Sequence, residues 1–159
     1  MSTITFLTST ELLAHWQGHR NLTRRVIDAF PEQELFEFSI AGMRTFAELA
    51  KELLAIAAPG LKETVSSEVT AFDEERSDLT TKAEILNAWD NATDLINEYY
   101  PQISAERLKE THNLFGQYEF PVYQNILYFI DNEIHHRGQG YVYLRSLGIE
   151  PPFFWERAR

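Results

Sequence analysis

The sequence contains no cysteine, only 7 glycines and 6 prolines, and fewer basic than acidic residues, 14 against 24. The lack of cysteine excludes disulfides, thiolate metal sites and cysteine nucleophiles. A formal net charge of -10 repels the phosphate backbone, so nucleic acid is not an expected partner. No apolar run reaches the length of about 20 residues that a membrane-spanning helix needs. Residues 1–10 lack a signal-peptide pattern. We therefore expect a soluble, cytoplasmic protein without a membrane partner.

The composition is otherwise that of an ordinary globular protein. The 159 residues are 44% hydrophobic and 24% charged, which fits one domain over residues 1–159. Apolar residues recur at spacings of three and four between the prolines and glycines, and this spacing favours helices over strands. The sequence therefore predicts an all-α protein.

Four long helices are predicted, and three of them begin with the same signal. A threonine followed three residues later by a glutamate is the capping-box pattern of a helix start. The three capping threonines are Thr8, Thr45 and Thr81. Proline then ends or interrupts each helix, because it disfavours helical geometry at the residue before it. The predicted helices span residues 8–30, 45–59, 81–100 and 121–147.

The connections between these helices predict the architecture. Residues 65–80 include a charged stretch that is long enough to return along the whole length of a bundle. A polar and aromatic linker joins the first two helices, and residues 104–111 are predicted to form a short helix. We expect a four-helix bundle with a long crossover between the second and third helices.

The fourth helix interrupts its apolar stripe with a group of polar residues. Asn132, Glu133 and His136 follow apolar positions that face the core, and buried polar side chains are costly unless they are satisfied. Asn132 and His136 lie four residues apart and so share one helix face. Asp131 and His135 form a second such pair about 100 degrees around the helix, which we expect to face another helix or a partner subunit.

The same segment carries a resemblance to a known family. His135-His136-Arg137-Gly138-Gln139, followed by Tyr143-Leu144-Arg145-Ser146-Leu147-Gly148 and a proline, resembles the DinB family, also called DinB/YfiT-like. Gly42-Met43-Arg44-Thr45 and Phe115-Gly116 extend the resemblance over essentially the whole chain. The family name refers to DNA-damage induction and is shared with an unrelated polymerase, so it implies nothing about DNA synthesis.

The resemblance implies a four-helix bundle, usually a homodimer, with a divalent metal bound by three histidines. Relatives with assigned activities look like thiol S-transferases or thiol-dependent isomerases. Carried over to this chain, the three ligand positions fall at Glu52, Asn132 and His136, and only His136 keeps the histidine. Carboxylate, amide and imidazole groups bind divalent ions such as Ni, Zn, Fe or Mn. One hypothesis is therefore a metal-dependent, thiol S-transferase-like enzyme with a small-molecule substrate.

The alternative is a non-catalytic, stress-associated binding or scaffold protein. In it, Glu52, Asn132 and His136 form a metal-free, hydrogen-bonded or ionic cluster where the family holds its metal. The replacement of two of the three histidines favours this interpretation. A Glu52–His136 pair is also a possible general acid and base, so the sequence leaves enzyme and binding protein open.

Other residues give weaker signals. His15 and His19, four residues apart, either bind a metal with an acidic partner or lie on the surface or along a groove of the bundle, which is the commoner arrangement. We expect Arg137 to pair with a carboxylate, and Gly138 and Gly140 to let another helix pack closely. The last aromatic residues are expected to cover the end of the bundle or a partner subunit. These are Phe153, Phe154 and Trp155.

Overall fold

The computed structural model describes residues 5–157, and this part of the chain is mostly helical. It contains five α-helices and one antiparallel β-hairpin. The helices are α1 (Ser9–Ala29), α2 (Glu32–Glu37), α3 (Phe46–Ser66), α4 (Lys82–Tyr99) and α5 (Val122–Ser146). The strands are β1 (Thr111–Leu114) and β2 (Tyr118–Pro121). The single domain predicted over residues 1–159 stays a prediction, and its ends at 1–4 and 158–159 lie outside the described residues.

All three predicted capping boxes are confirmed. In each, the threonine side chain accepts a hydrogen bond from the backbone N–H of the glutamate three residues later. The glutamate carboxylate accepts the threonine N–H in return, which satisfies two amide groups that the first helical turn leaves free. These local signals therefore fix where α1, α3 and α4 begin.

The predicted interruption of the second helix at Pro59-Gly60 is wrong. α3 continues through Pro59 and ends at Ser66. Proline in a helix interior removes one hydrogen bond and costs about 3 kcal/mol. Here the residues on both sides, including Ala55 and Leu61, are buried in the core, so tertiary packing offsets the local cost.

Two further elements differ from the prediction. The linker after α1 contains the short helix α2, and residues 104–111 form only a 3₁₀ turn at Arg107–Lys109 before β1 begins. β1 and β2 pair in antiparallel register, with Leu114 opposite Tyr118. The turn between them has Phe115 and Gly116 at φ values of 55° and 67°. Strands of four residues are too short to show a clear alternation of apolar and polar side chains, which is why the pattern missed them.

The ends of the helices define how the chain runs. Phe46, at the start of α3, stacks on Phe30 after α1, with ring centroids 4.8 Å apart. Lys82, at the start of α4, donates to the Phe30 carbonyl oxygen over 2.9 Å. α3 and α4 therefore begin at the same end of the molecule, so the connection of residues 67–81 returns along its length. α1 contacts α4 and α5, and α3 contacts the same two helices.

The core lies between these four long helices. Its largest fully buried side chains come from every one of them and include Trp16, Trp89, Phe46, Phe129 and Tyr143. Burial of such apolar surface is the main favourable term in folding. Within residues 5–157, no helix has the length and apolar character needed to cross a membrane.

The two glycines near the middle of α5 have different roles. A Cβ on Gly140 would lie 2.5 Å from Phe46 Cε2, so the predicted close packing of another helix is confirmed there. A Cβ on Gly138 would meet nothing within 4 Å, so the same prediction is wrong for Gly138. Gly140 therefore allows the close contact of α5 with Phe46 of α3, and Gly60 on α3 allows a similar contact with Phe129 of α5, whereas Gly138 has no such role.

This difference gives a matched pair of variants. Gly140→Ala is expected to lower the free energy of unfolding by about 1–3 kcal/mol, because the added methyl group overpacks the contact with Phe46. Gly138→Ala is expected to raise it by up to about 1 kcal/mol, because alanine favours the helix more than glycine does. Urea unfolding of both variants measures the difference, and equal effects would contradict the assignment.

Candidate functional site

The packing of α3 against α5 brings together the three residues that the sequence singled out. Glu52 lies one helical turn after the capping-box residue Glu48 on α3, and Asn132 and His136 lie on one face of α5. All three are nearly buried, with 9%, 8% and 6% of their surface exposed. The structure therefore brings Glu52, Asn132 and His136 together, and we call them the Glu52 cluster.

One carboxylate oxygen is the centre of this cluster. Glu52 Oε1 lies 3.1 Å from Asn132 Nδ2 and 3.0 Å from His136 Nε2. Both groups donate to the oxygen, because an ionised carboxylate only accepts hydrogen bonds. His136 Nδ1 is buried and has no hydrogen-bond partner among the residues that the structure describes.

The other carboxylate oxygen binds Arg44, which the sequence reasoning did not place in the site. Arg44 Nη2 lies 2.5 Å from Glu52 Oε2, and the Arg44 side chain is 45% exposed. Arg44 directly precedes the capping residue Thr45, so the start of α3 places it two turns before Glu52. The signal for this contact in the sequence is a basic residue, Arg44, just before a helix that carries a buried glutamate, Glu52.

These contacts keep Glu52 ionised. The hydrogen bond from His136 lowers the pKa of the Glu52 carboxyl to about 2, helped by Asn132 and Arg44 and opposed by burial. A base whose conjugate acid has so low a pKa takes up protons poorly near neutral pH. The cluster is therefore suited to holding a fixed negative charge and poorly suited to general-base catalysis.

The atoms of the Glu52 cluster differ from those of the metal site that the family resemblance implies. A histidine that binds a metal almost always donates its second ring N–H to a carboxylate, a carbonyl group or water, and His136 Nδ1 has no carboxylate or carbonyl partner within residues 5–157. Arg44 already supplies a positive charge to the Glu52 carboxylate. The donor set as arranged does not fit the metal of a three-histidine site. Metal binding by Glu52, Asn132 and His136 stays a prediction.

Two further polar residues of α5, Glu133 and Arg137, face α1 and form a second network. Glu133 accepts a hydrogen bond from Thr23 over 2.6 Å. Arg137 Nη1 lies 3.9 Å from Glu133 Oε1 and 3.0 Å from Thr23 Oγ1. The predicted pairing of Arg137 with a carboxylate is confirmed. Asp131 and His135 are exposed on the opposite side.

The histidine pair on α1 belongs to this network. His15 and His19 place their Nε2 atoms 3.1 Å apart, and His19 Nδ1 lies 2.9 Å from Arg137. Burial, with the charge of Arg137 next, lowers the pKa of His19 to about 3. His19 is therefore neutral and buried between α1 and α5, and His15 is exposed. Metal binding by this pair stays a prediction.

A cavity of about 390 Å³ opens beside the Glu52 cluster along the same two helices. It is lined by Ile56, one turn after Glu52, and by Tyr128, one turn before Asn132. Burial, and after it the Glu52 charge, raises the pKa of Tyr128, which agrees with their proximity. No pattern in the sequence indicates this cavity, because its other walls come from the crossover and the β-hairpin.

The fold and the Glu52 cluster define a helical protein with a polar site between two long helices, as is usual for helical bundles. The family model of the DinB family matches residues 1–158, so this chain belongs to the DinB family. Among curated proteins, none matches the chain.

Two solved structures share the fold. A DinB-like protein from Bacillus cereus ATCC 10987 has a TM-score of 0.72 at 16% identity, covering 94% of this chain and 99% of its own. A DinB-like protein from Bacillus subtilis has a TM-score of 0.72 at 19% identity, covering 90% of this chain and 96% of its own. At such low identity these likenesses show the fold alone.

The ionised Glu52 predicts a pH-dependent contribution to stability. Its pKa in the folded protein, about 2, lies below the ordinary value of 4.5, so the contribution is complete above 4.5 and is lost as the pH falls towards 2. Glu52→Gln is expected to lower the free energy of unfolding by about 2 kcal/mol at neutral pH.

The difference in free energy of unfolding between wild type and Glu52→Gln should decrease as the pH falls from 4.5 towards 2. Urea unfolding at several pH values measures it, and Glu68→Gln is the matched control because Glu68 is exposed. A deficit that stays constant with pH would contradict the assigned charge state.

Proposed function

We propose that this DinB-family chain is a metal-independent binding protein for a small molecule, rather than a metal-dependent enzyme. The observation that carries the proposal is the Glu52 carboxylate, which has hydrogen bonds from Asn132 and His136 and an ion pair with Arg44. These donors compensate its charge without a metal ion. The cavity beside the cluster supplies a preformed ligand site of ordinary size.

The architecture behind the proposal is a four-helix bundle with a long crossover at residues 67–81. Two features support it: α1 and α3 each contact both α4 and α5, and α3 and α4 begin at the same end. In such bundles, sites are built from side chains on facing helices. Glu52 on α3 and His136 on α5 follow this rule.

The competing function is the metal-dependent thiol S-transferase that the family resemblance implies. The observation in its favour is that His136 Nε2 and the Asn132 amide converge on one oxygen, Glu52 Oε1, at 3.0 and 3.1 Å. An ion bound by these three side chains would replace the two hydrogen bonds, with Asn132 presenting its amide oxygen and His136 Nε2 its lone pair. The two functions differ in whether Ni, Zn, Fe or Mn is bound.

Metal content separates them. Protein purified without a metal-binding tag is expected to contain far less than one metal per chain by elemental analysis, and added Ni, Zn, Fe or Mn should leave its Tm unchanged. Restoring the family's donors with Glu52→His and Asn132→His should produce a chain that takes up metal and gains Tm with it. Adding His136→Ala to that variant should abolish both effects.

The opposite result would overturn the proposal. If the wild-type chain holds near-stoichiometric metal and loses it in His136→Ala, the site is a metal centre and thiol-transfer assays become the next step. Circular dichroism of each variant verifies that metal loss does not come from unfolding.

Homodimerisation is the second part of the proposal. The C-terminal aromatic residues do not fold over the core, because Phe153, Phe154 and Trp155 are 48%, 64% and 62% exposed. An exposed group of stacked aromatic side chains is typical of a surface that another subunit covers.

Light scattering tests this part. The wild-type chain is expected to elute with the mass of a dimer, and Phe154→Ser combined with Trp155→Ser to elute as a monomer. Val69→Ser is the control, because Val69 is 71% exposed elsewhere on the surface. A monomeric wild-type chain would contradict dimerisation.

A further inference from the structure

The cavity between α3, the crossover, the β-hairpin and α5 has a distinctive chemistry. Among the described residues that line it, none is charged, and most are apolar or aromatic. Phe72 and Phe115 form one wall with ring centroids 5.4 Å apart, and Ile56 and Tyr128 form another. Such a lining disfavours a charged ligand, since nothing in it compensates a buried charge. It favours a flat apolar molecule.

One polar group in the cavity lacks a partner. Asn125 lines the cavity with only 5% of its surface exposed, and its Nδ2 is a buried donor without a hydrogen-bond partner in residues 5–157. Buried donors are normally paired, and an unpaired one is costly. A ligand with a hydrogen-bond acceptor would satisfy this group.

Hydrogen bonds to α3 hold the cavity wall opposite α5 in place. Glu63 is fully buried on α3 and accepts the backbone N–H of Phe115 over 2.8 Å and that of Thr70 over 2.7 Å. His112 Nε2 lies 3.2 Å from the same carboxylate. Glu63 thereby ties both the hairpin and the crossover to α3.

Phe115 itself adopts a conformation that bulky residues rarely take. Its φ of 55° lies in the left-handed region, yet its side chain is buried against Phe72. Strained residues of this kind persist only where the surroundings hold them, and they are concentrated at functional sites. A wall fixed in advance reduces the entropy lost on binding.

We propose that this cavity binds a small, neutral, aromatic molecule with one hydrogen-bond acceptor, such as a carbonyl oxygen, which accepts the Asn125 Nδ2–H. The inference rests on the binding role proposed above and names the class of ligand. The aromatic walls favour a flat ring system, and the absence of charge among the described lining residues favours a neutral molecule. The unpaired Asn125 Nδ2 favours a ligand with a hydrogen-bond acceptor.

Three probes of similar size test these features separately. Acetylnaphthalene has the ring and the acceptor, ethylnaphthalene has the ring alone, and naphthoate adds a negative charge. In equilibrium dialysis against the full chain, we expect acetylnaphthalene to bind most tightly, ethylnaphthalene about tenfold more weakly, and naphthoate most weakly.

Variants assign the binding to the cavity. Asn125→Leu should weaken acetylnaphthalene about tenfold and change ethylnaphthalene by less than about twofold, since only one hydrogen bond is lost. Phe120→Ala should weaken both neutral probes, and because Phe120 is half-exposed the variant should keep its fold. Gln117→Ala, at an exposed position in the hairpin turn, is the control.

Two results would overturn this inference. One is the absence of saturable binding by either neutral probe, and the other is an acetylnaphthalene preference that survives Asn125→Leu. Elemental analysis of the same sample keeps the two proposals distinguishable. If the chain contains metal and still binds the probes, the proposal of metal independence is wrong and the ligand assignment stands. If the chain is metal-free and binds neither neutral probe, the ligand assignment is wrong and metal independence stands.

Discussion

The site depends on one buried negative charge. Removing a carboxylate from water is costly unless donors replace its hydration, and Glu52 obtains them from Asn132, His136 and Arg44. These donors come from α5 and from the residue before the N-cap of α3. The contact therefore connects α3 and α5. Loss of any one donor would leave part of the charge uncompensated.

The charge also determines which chemistry the site supports. Three neutral imidazoles would leave their lone pairs free to bind a cation. The Glu52 carboxylate already has a cationic partner, the Arg44 guanidinium. The Glu52 carboxylate is instead an anion that accepts hydrogen bonds from Asn132 and His136 and pairs with Arg44. A carboxyl with a pKa of about 2 stays ionised at every physiological pH and is a weak general base.

The sequence was most informative where the determining interactions are local. Capping boxes lie within four residues, and the i,i+4 spacing of Asn132 and His136 predicts a shared helix face. Pro59 was misjudged because packing from distant residues offsets its local cost. Arg44 was missed because its partner lies two helical turns away, and the cavity was missed because four separate segments form it. Tertiary contacts of this kind leave no periodic trace in the sequence.

α5 carries two polar pairs in adjacent registers, and each faces a different helix. Asn132 and His136 contact α3, while Glu133 and Arg137 contact the network on α1. A rotation or slip of α5 would break both sets at once, since buried polar groups accept few alternative partners. The polar pairs therefore fix the orientation of α5 together with its buried apolar residues, such as Phe129 and Tyr143. In the same orientation, Asn125, two turns before Asn132, lines the cavity. Because α5 is held in this position, the Asn125 side chain constrains where a ligand's acceptor must lie as well as its chemistry.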